Sequence, residues 1–252
     1  MSLRRYLPSL TLILVLLLLW EIIVRWRAVP AWILPPPTAI GRALIENRAI
    51  LWPHIGQTML EVVLGLSVAI VTGIGTAALL QFSPRIREAL YPLLVTSQTI
   101  PIIALAPLLI IWFGFGIIPK VIVVTLFCYF PIAINTIDGF NSASPVHIDL
   151  IAALGGTPLQ IWTKVRLPAA LPFFFSGLRI AATYSVVGAV VGEWVGASQG
   201  LGIYLLRSGS AFKTDQVFGG IFIISLLSIL VFSIVFLVER RMIPWYFDMR
   251  ER

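Results

Sequence analysis

DLIAALGGTPLQIWTKVRLPAALP, residues 149–172, is a polar interruption between two strongly apolar segments, and its reading decides the fold. Ser144-Pro145 ahead of it suits a helix start. Ile148, Ile151, Ala152 and Gly155 recur at helical spacing on one face. Gly155-Gly156 then ends or bends that helix and exposes backbone for a close neighbour. Thr157-Pro158 restarts it, with Thr157 as the cap and Pro158 in the first turn. Leu159, Trp162 and Val165 are placed to pack inward, while Lys164 and Arg166 meet solvent or lipid headgroups. Leu167-Pro168 is expected to break the element before the next apolar segment begins.

Working outward, the whole chain is apolar. Of 252 residues, 59% are hydrophobic and only 12% charged, where soluble domains carry about 25% charged residues. Mean hydropathy is +0.98. That polar deficit excludes an ordinary soluble enzyme and makes lipid the solvent for most of the chain. The net charge of +7 comes from short clusters flanking apolar runs, such as Arg4-Arg5, Arg85/Arg87 and Arg240-Arg241. Such clusters fit topology signals and anionic headgroups; no nucleic-acid-binding motif accompanies them, so no nucleic-acid partner is expected. Cys128 is the single cysteine and reads as a buried, inert thiol. His54 and His147 share no metal-ligand spacing, so no metal is expected. The motifs GxSxG, HExxH and GxxxxGK[ST] are absent, so no catalytic residues are expected and ATP is not expected to bind to this chain by a Walker-type loop.

A helix needs about 20 apolar residues to span the hydrocarbon. Six segments qualify: 7–24, 59–80, 91–113, 117–137, 171–195 and 217–238. The fold class is therefore all-α: a polytopic membrane protein of about six transmembrane helices, one transmembrane domain over residues 1–252. The first segment follows Arg4-Arg5 like a signal peptide. Glu21 and Arg25-Trp26-Arg27 follow it without a small-x-small cleavage site, which favours a retained span. With the amino terminus inside, six crossings place both termini and residues 145–168 in the cytoplasm. The inner cations are then Arg4, Arg5, Arg85, Arg87, Lys164, Arg166, Arg240, Arg241, Arg250 and Arg252. The outer ones are Arg25, Arg27, Arg42, Arg48, Lys120, Arg207 and Lys213. The inward excess is modest, and the outer loop at 26–58 is long enough to weigh less per charge. In that loop Pro35-Pro36-Pro37 stiffens the chain, and Thr38 is a candidate cap for a short helix over 39–48 that ends before Trp52-Pro53.

Polar residues inside the spans are the candidate functional groups. Glu193, near the outer end of the fifth span, is the most costly, because an ionised carboxylate in hydrocarbon must be hydrated or paired. Three roles stay open for it: lining a solute path, closing an outer gate, or tying helices together as a buried acid. Gly188, Gly192 and Gly196 form a stripe that reads as helix packing. Gln98, Thr99, Asn135 and Thr183 are candidates for a polar pathway. Pro101 and Pro107 bend the third span. Arg179 either snorkels or pairs with Asp138, and Glu61 is expected near the outer interface.

The run from Asp149 to Pro168 resembles the cytoplasmic coupling loop of ABC-importer permeases, whose pattern is roughly EAA-x3-G-x9-I-x-L-P. Gly155, Leu167 and Pro168 hold the register. Asp149 stands for Glu, Leu150-Ile151 for Ala-Ala, and Val165 for Ile. Leu34-Pro-Pro-Pro-Thr38 and Gly200-Leu201-Gly202 also resemble family segments. The chain is similar to the binding-protein-dependent permeases of the nitrate, sulfonate, taurine and bicarbonate group, which includes permeases for the thiamine pyrimidine precursor and riboflavin. The run from Val190 to Gly202 looks most like the vitamin-precursor branch. The resemblance implies a permease subunit in the cell inner membrane, working as a homodimer with two ATPase subunits that bind the ATP and an extracytoplasmic solute-binding protein. It implies ATPase coupling through Asp149, Ala152, Ala153, Gly155, Gly156, Leu167 and Pro168. A proton-coupled secondary transporter using Glu193, and an intramembrane enzyme or assembly factor, are the competing classes.

Overall fold

A computed structural model of the protein describes residues 7–250. Among them there is no strand. The elements are α1 (Leu7–Trp26), α2 (Pro37–Glu46), α3 (Arg48–Phe82), α4 (Pro84–Ser97), α5 (Ile102–Phe113), α6 (Ile117–Asn141), α7 (Pro145–Ala153), α8 (Pro158–Ile161), a π-helical turn at Trp162–Arg166, α9 (Leu167–Glu193), α10 (Leu201–Ser210), α11 (Thr214–Met242) and α12 (Pro244–Arg250). Five helices are long and apolar enough to cross a membrane, and a sixth crossing is made if the bent pair α4–α5 is one span. Of the cations assigned to the inner side, Arg4, Arg5 and Arg252 lie outside the described residues.

Small residues set the centre of the bundle. A Cβ on Gly188 of α9 would sit 3.2 Å from the Val124 Cα of α6, and one on Gly139 of α6 would sit 2.9 Å from the Ala170 Cα of α9. These two helices therefore pack backbone to backbone, as small residues permit where lipid supplies no hydrophobic drive between helices. Around that seam, Val124, Cys128 and Ile132 interlock with Phe175, Ala182 and Val186, and Val62 and Ala69 of α3 close the third side. Cys128 is fully buried, its thiol facing the Ala181 carbonyl at 3.4 Å.

One sequence expectation is sharpened and three are corrected. The bend expected at Pro101 in the segment 91–113 is sharp enough to break it, and α4 and α5 meet at 99°. The bend falls at the Thr99–Pro101 break, where Pro101 is extended (φ −67, ψ 109) and cannot donate to a helical ladder. The second span does not begin at Met59. Helix α3 starts at Arg48 and carries Pro53 inside it, because Leu51, His54 and Thr58 are buried and packing outweighs one missing backbone bond. The loop at 26–58 is thus mostly helix.

The other two corrections concern local bonds. Thr38 does not cap α2; Pro36 holds that position. Glu21 of α1 caps α2 from outside, accepting from the Thr38 N–H at 3.1 Å and its hydroxyl at 2.8 Å. Leu167-Pro168 does not break the chain either, since Pro158–Glu193 runs as one 36-residue helix. The π turn absorbs the proline: the Leu167 N–H reaches back five residues to the Trp162 carbonyl, re-registering the ladder just before the residue without an N–H.

Candidate functional site

At one end of the bundle the sequence builds an exposed turn-back. Pro145 sits in the first turn of α7, and the helix stops at Leu154. Gly155 follows at φ +74, a conformation that costs an L-residue with a side chain about 1–2 kcal/mol. Its N–H donates to the Ala152 carbonyl at 3.0 Å, and that of Gly156 donates to Ile151 at 2.9 Å, so the last carbonyls of α7 are satisfied. Thr157 then caps α8 in a capping box with Gln160, with bonds of 3.3 and 2.8 Å.

Packing divides this end into an anchored and a free face. Trp162 lies against Phe140 with ring centroids 5.5 Å apart, Val165 is buried, and Ile148 and Ile151 are half-buried. Leu159, expected to pack inward, is 71% exposed; Val146 and Leu154 are 72% and 79% exposed. Asp149, Ala152, Ala153 and Gly155 share this exposed element, and Gly156 is half-buried beside Ile151. Leu167 and Pro168 stand apart from it, inside the continuous helix above the π turn. Three bare aliphatic side chains, Val146 and Leu154 at the two ends of α7 and Leu159 on α8, form an apolar surface of the kind that partners cover.

The opposite end holds a buried polar cluster. Glu193 closes α9 and is fully buried. Its Oε1 accepts from the Thr58 hydroxyl at 2.6 Å, and its Oε2 accepts from the Gly202 N–H. The Thr58 oxygen in turn accepts from the Leu201 N–H at 2.9 Å, and the Gly200 N–H donates to His54 Nδ1 at 2.8 Å. That bond makes His54 a neutral imidazole with its proton on Nε2. The first amides of α10, which have no partner within their own helix, are thus satisfied by α3 and α9. Gly200 is at φ +130, and a Cβ there would overlap the Glu193 carboxyl.

One helical turn further along α3, Glu61 accepts from Lys120 of α6 at 2.9 Å and from Gln57 at 2.8 Å. Glu61 has no exposure and Lys120 has 7%, so the two form a pair buried among the helices. The cluster was hidden because the second span was expected to start after His54 and Thr58. The signal was present: His54, Thr58 and Glu61 lie four and three residues apart, one polar face on an apolar helix.

The proposed pathway residues are not gathered into one site. Gln98 and Thr99 are exposed at the α4–α5 bend, and Thr183 is exposed on α9, its hydroxyl bonded to the Arg179 carbonyl at 3.3 Å. Asn135 is half-buried against Gly177 and donates to the Pro131 carbonyl at 2.8 Å. Arg179 pairs with Glu239 of α11 at 3.2 Å rather than with Asp138. Among the described residues no cluster suited to a metal ion occurs.

The chain can be placed among known proteins. A probable ABC transporter permease protein of Haemophilus influenzae is 40% identical over 237 residues, covering 94% of this chain and 97% of that protein. The formylaminopyrimidine transport permease protein ThiX of Halalkalibacterium halodurans is 41% identical over 233 residues, covering 92% and 93%. In fold, an inward-facing structure of the MetNI methionine ABC transporter superposes with a TM-score of 0.68 at 20% identity, covering 78% of this chain and 97% of that one. Residues 69–244 match the model of the binding-protein-dependent transport system inner membrane component, a stretch that runs from the middle of α3 to the start of α12 and includes the whole α7–α8 turn-back. The chain belongs to that family, as the permease subunit of an ABC importer.

Proposed function

We propose that this permease works as a homodimer in the cell inner membrane, taking a small organic solute from an extracytoplasmic binding protein and driven by two ATPase subunits. The exposed apolar α7 carries the proposal. It presents Val146 and Leu154 bare to the surface, is ended by a glycine backbone conformation, and joins through α8 to a helix that crosses the bundle. Residues 145–168 form the coupling element in this reading, with Asp149, Ala152, Ala153, Gly155 and Gly156 at the ATPase contact. Leu167 and Pro168 sit where the motion enters α9. Both termini lie on the cytoplasmic side and residues 1–252 form a single transmembrane domain. Lys164, Arg166, Arg240 and Arg241 at this end support that orientation.

Transmission follows from the continuity of Pro158–Glu193. At 1.5 Å per residue this helix is roughly 54 Å long. ATPase closure that displaces α8 further than the π turn absorbs moves the Glu193 end as well, and with it α10, whose first amides Glu193 and Thr58 hold. Gln98, Thr99 and Thr183, all exposed, are offered as path-lining groups. Asn135 and Glu193 serve the packing beside that path. For the solute we propose a pyrimidine vitamin precursor, which rests on 41% identity over nearly the full length of the formylaminopyrimidine permease.

The test is reconstitution in proteoliposomes with the cognate ATPase and binding protein, comparing uptake of a formylaminopyrimidine, riboflavin, taurine and nitrate. ATP-dependent uptake of the pyrimidine alone is expected. ATP-dependent uptake of taurine instead would overturn the solute assignment. Uptake that ignores ATP and follows a proton gradient would overturn the coupling assignment.

A further inference from the structure

A cleft of about 480 Å³ opens beside the π turn, between the last turn of α3, the first turns of α4 and Arg166. Its walls are amphipathic: Leu80, Tyr91 and Pro92 on the apolar side, and Gln81, Arg87 and Arg166 on the polar side. Glu88 also lines it. Among the described residues neither guanidinium is within ion-pair distance of a carboxylate. Arg87 donates to the Asn141 side-chain oxygen at 3.1 Å, which orients its guanidinium and leaves further N–H groups free. The cleft lies where the apolar spans α3 and α9 give way to polar segments, the depth at which headgroups sit.

We infer that this cleft binds the phosphate of an anionic phospholipid from the inner leaflet. A phosphodiester between Arg87 and Arg166 accepts charge-assisted hydrogen bonds from both, and the glycerol and first methylenes lie against Leu80, Tyr91 and Pro92. A free phosphate would match the two arginines but leave the apolar wall wet, so the lipid is the fitting source. Because Arg166 belongs to the π turn and Arg87 to α4, one lipid would tie these two elements together next to the coupling element. This inference rests on the inner-side placement proposed above, but its test does not require transport.

The experiment is native mass spectrometry of the purified permease in detergent, with phosphatidylglycerol or phosphatidylcholine titrated at equal concentration. One tightly retained phosphatidylglycerol is expected, with phosphatidylcholine weaker by about tenfold. Arg87→Gln and Arg166→Gln should each weaken phosphatidylglycerol by roughly five- to tenfold. Arg241→Gln, an exposed inner-end cation outside the cleft, should leave it unchanged. Equal retention of the two lipids, or an equal loss in Arg241→Gln, would overturn the site. Displacement of the lipid by low-millimolar inorganic phosphate would overturn the lipid assignment in favour of a free anion. Arg87→Lys and Arg166→Lys keep the charge and guard against misfolding: intermediate binding supports the site, and unaltered binding by both rejects two-arginine recognition.

Discussion

Replacing Lys120 with Met tests the physical core of the α10 end. Lys120 and Glu61 are bonded at 2.9 Å with side-chain exposures of 9% and 0%. The aliphatic stem of Lys120 packs where a Cβ on Gly192 would lie 3.5 Å from the Lys120 Cβ, so Met preserves the contact and deletes only the ammonium. What remains is a buried carboxylate with Gln57 as its donor. Breaking a buried pair by removing one partner costs about 3–5 kcal/mol, because a charge is left uncompensated, whereas removing both charges is often close to neutral. Lys120→Met should therefore destabilise by about 3 kcal/mol or more, and Glu61→Gln/Lys120→Met by about 1 kcal/mol. The assay is denaturant or thermal unfolding of purified protein in one detergent, followed by size-exclusion fluorescence. The reasoning is refuted if Lys120→Met costs less than about 1 kcal/mol, the ordinary worth of a surface pair, or if the double variant costs the sum of the two singles.

Glu193→Gln should be tolerated within about 1 kcal/mol and keep transport, because its amide can accept from Gly202 and donate to Thr58, whose hydroxyl turns to the His54 carbonyl at 3.1 Å. Glu193→Ala should cost about 3 kcal/mol by stranding the buried Gly202 N–H and leaving a cavity in place of the carboxylate side chain; loss of uptake in the Gln variant with intact folding would instead give Glu193 a role in chemistry. Leu154→Asp should leave stability within about 0.5 kcal/mol and abolish ATPase co-purification, and undiminished co-purification would remove α7 from the coupling contact. At Gly155, Asn should retain more ATPase coupling than Ala, since Asn tolerates the positive-φ conformation better. Equal activity of the two variants, measured as ATP-driven uptake, would argue that backbone geometry there is unimportant.

The α7–α8 end was legible because its signals are local. Gly155, Thr157 and Pro158 act through backbone conformation and capping within four residues, and the structure places each as the sequence predicts. The spans were legible through composition alone. What escaped were effects of distant partners. Pro53 reads as a helix stop until Leu51 and His54 are seen buried under α10, and Leu167-Pro168 reads as a break until the π turn is seen to absorb it. Glu193 was flagged for its cost, yet its partners Thr58 and Gly202 lie 135 and 9 residues away, and no spacing rule links them.

The corrected reading of Leu167-Pro168 bears on one mechanical question. A break at Leu167-Pro168 would make the α7–α8 element a hinged flap, free to follow an ATPase without moving the membrane helices. The continuous helix removes that freedom: the nearest soft point above Gly155-Gly156 is the π turn itself, and Trp162 against Phe140 and the buried Val165 clamp it to α6. Displacement of α8 must then either rotate α9 as a body or re-register the π turn. Body rotation strains the close contacts at Gly139 and Gly188, where the Ala170 and Val124 backbones approach directly. Re-registering needs only that the Leu167 N–H exchange its partner at Trp162, next to a proline that has no N–H to lose. The π turn is therefore the cheaper place for small displacements, and rotation of α9 is reserved for those large enough to disturb the hold of Glu193 on α10.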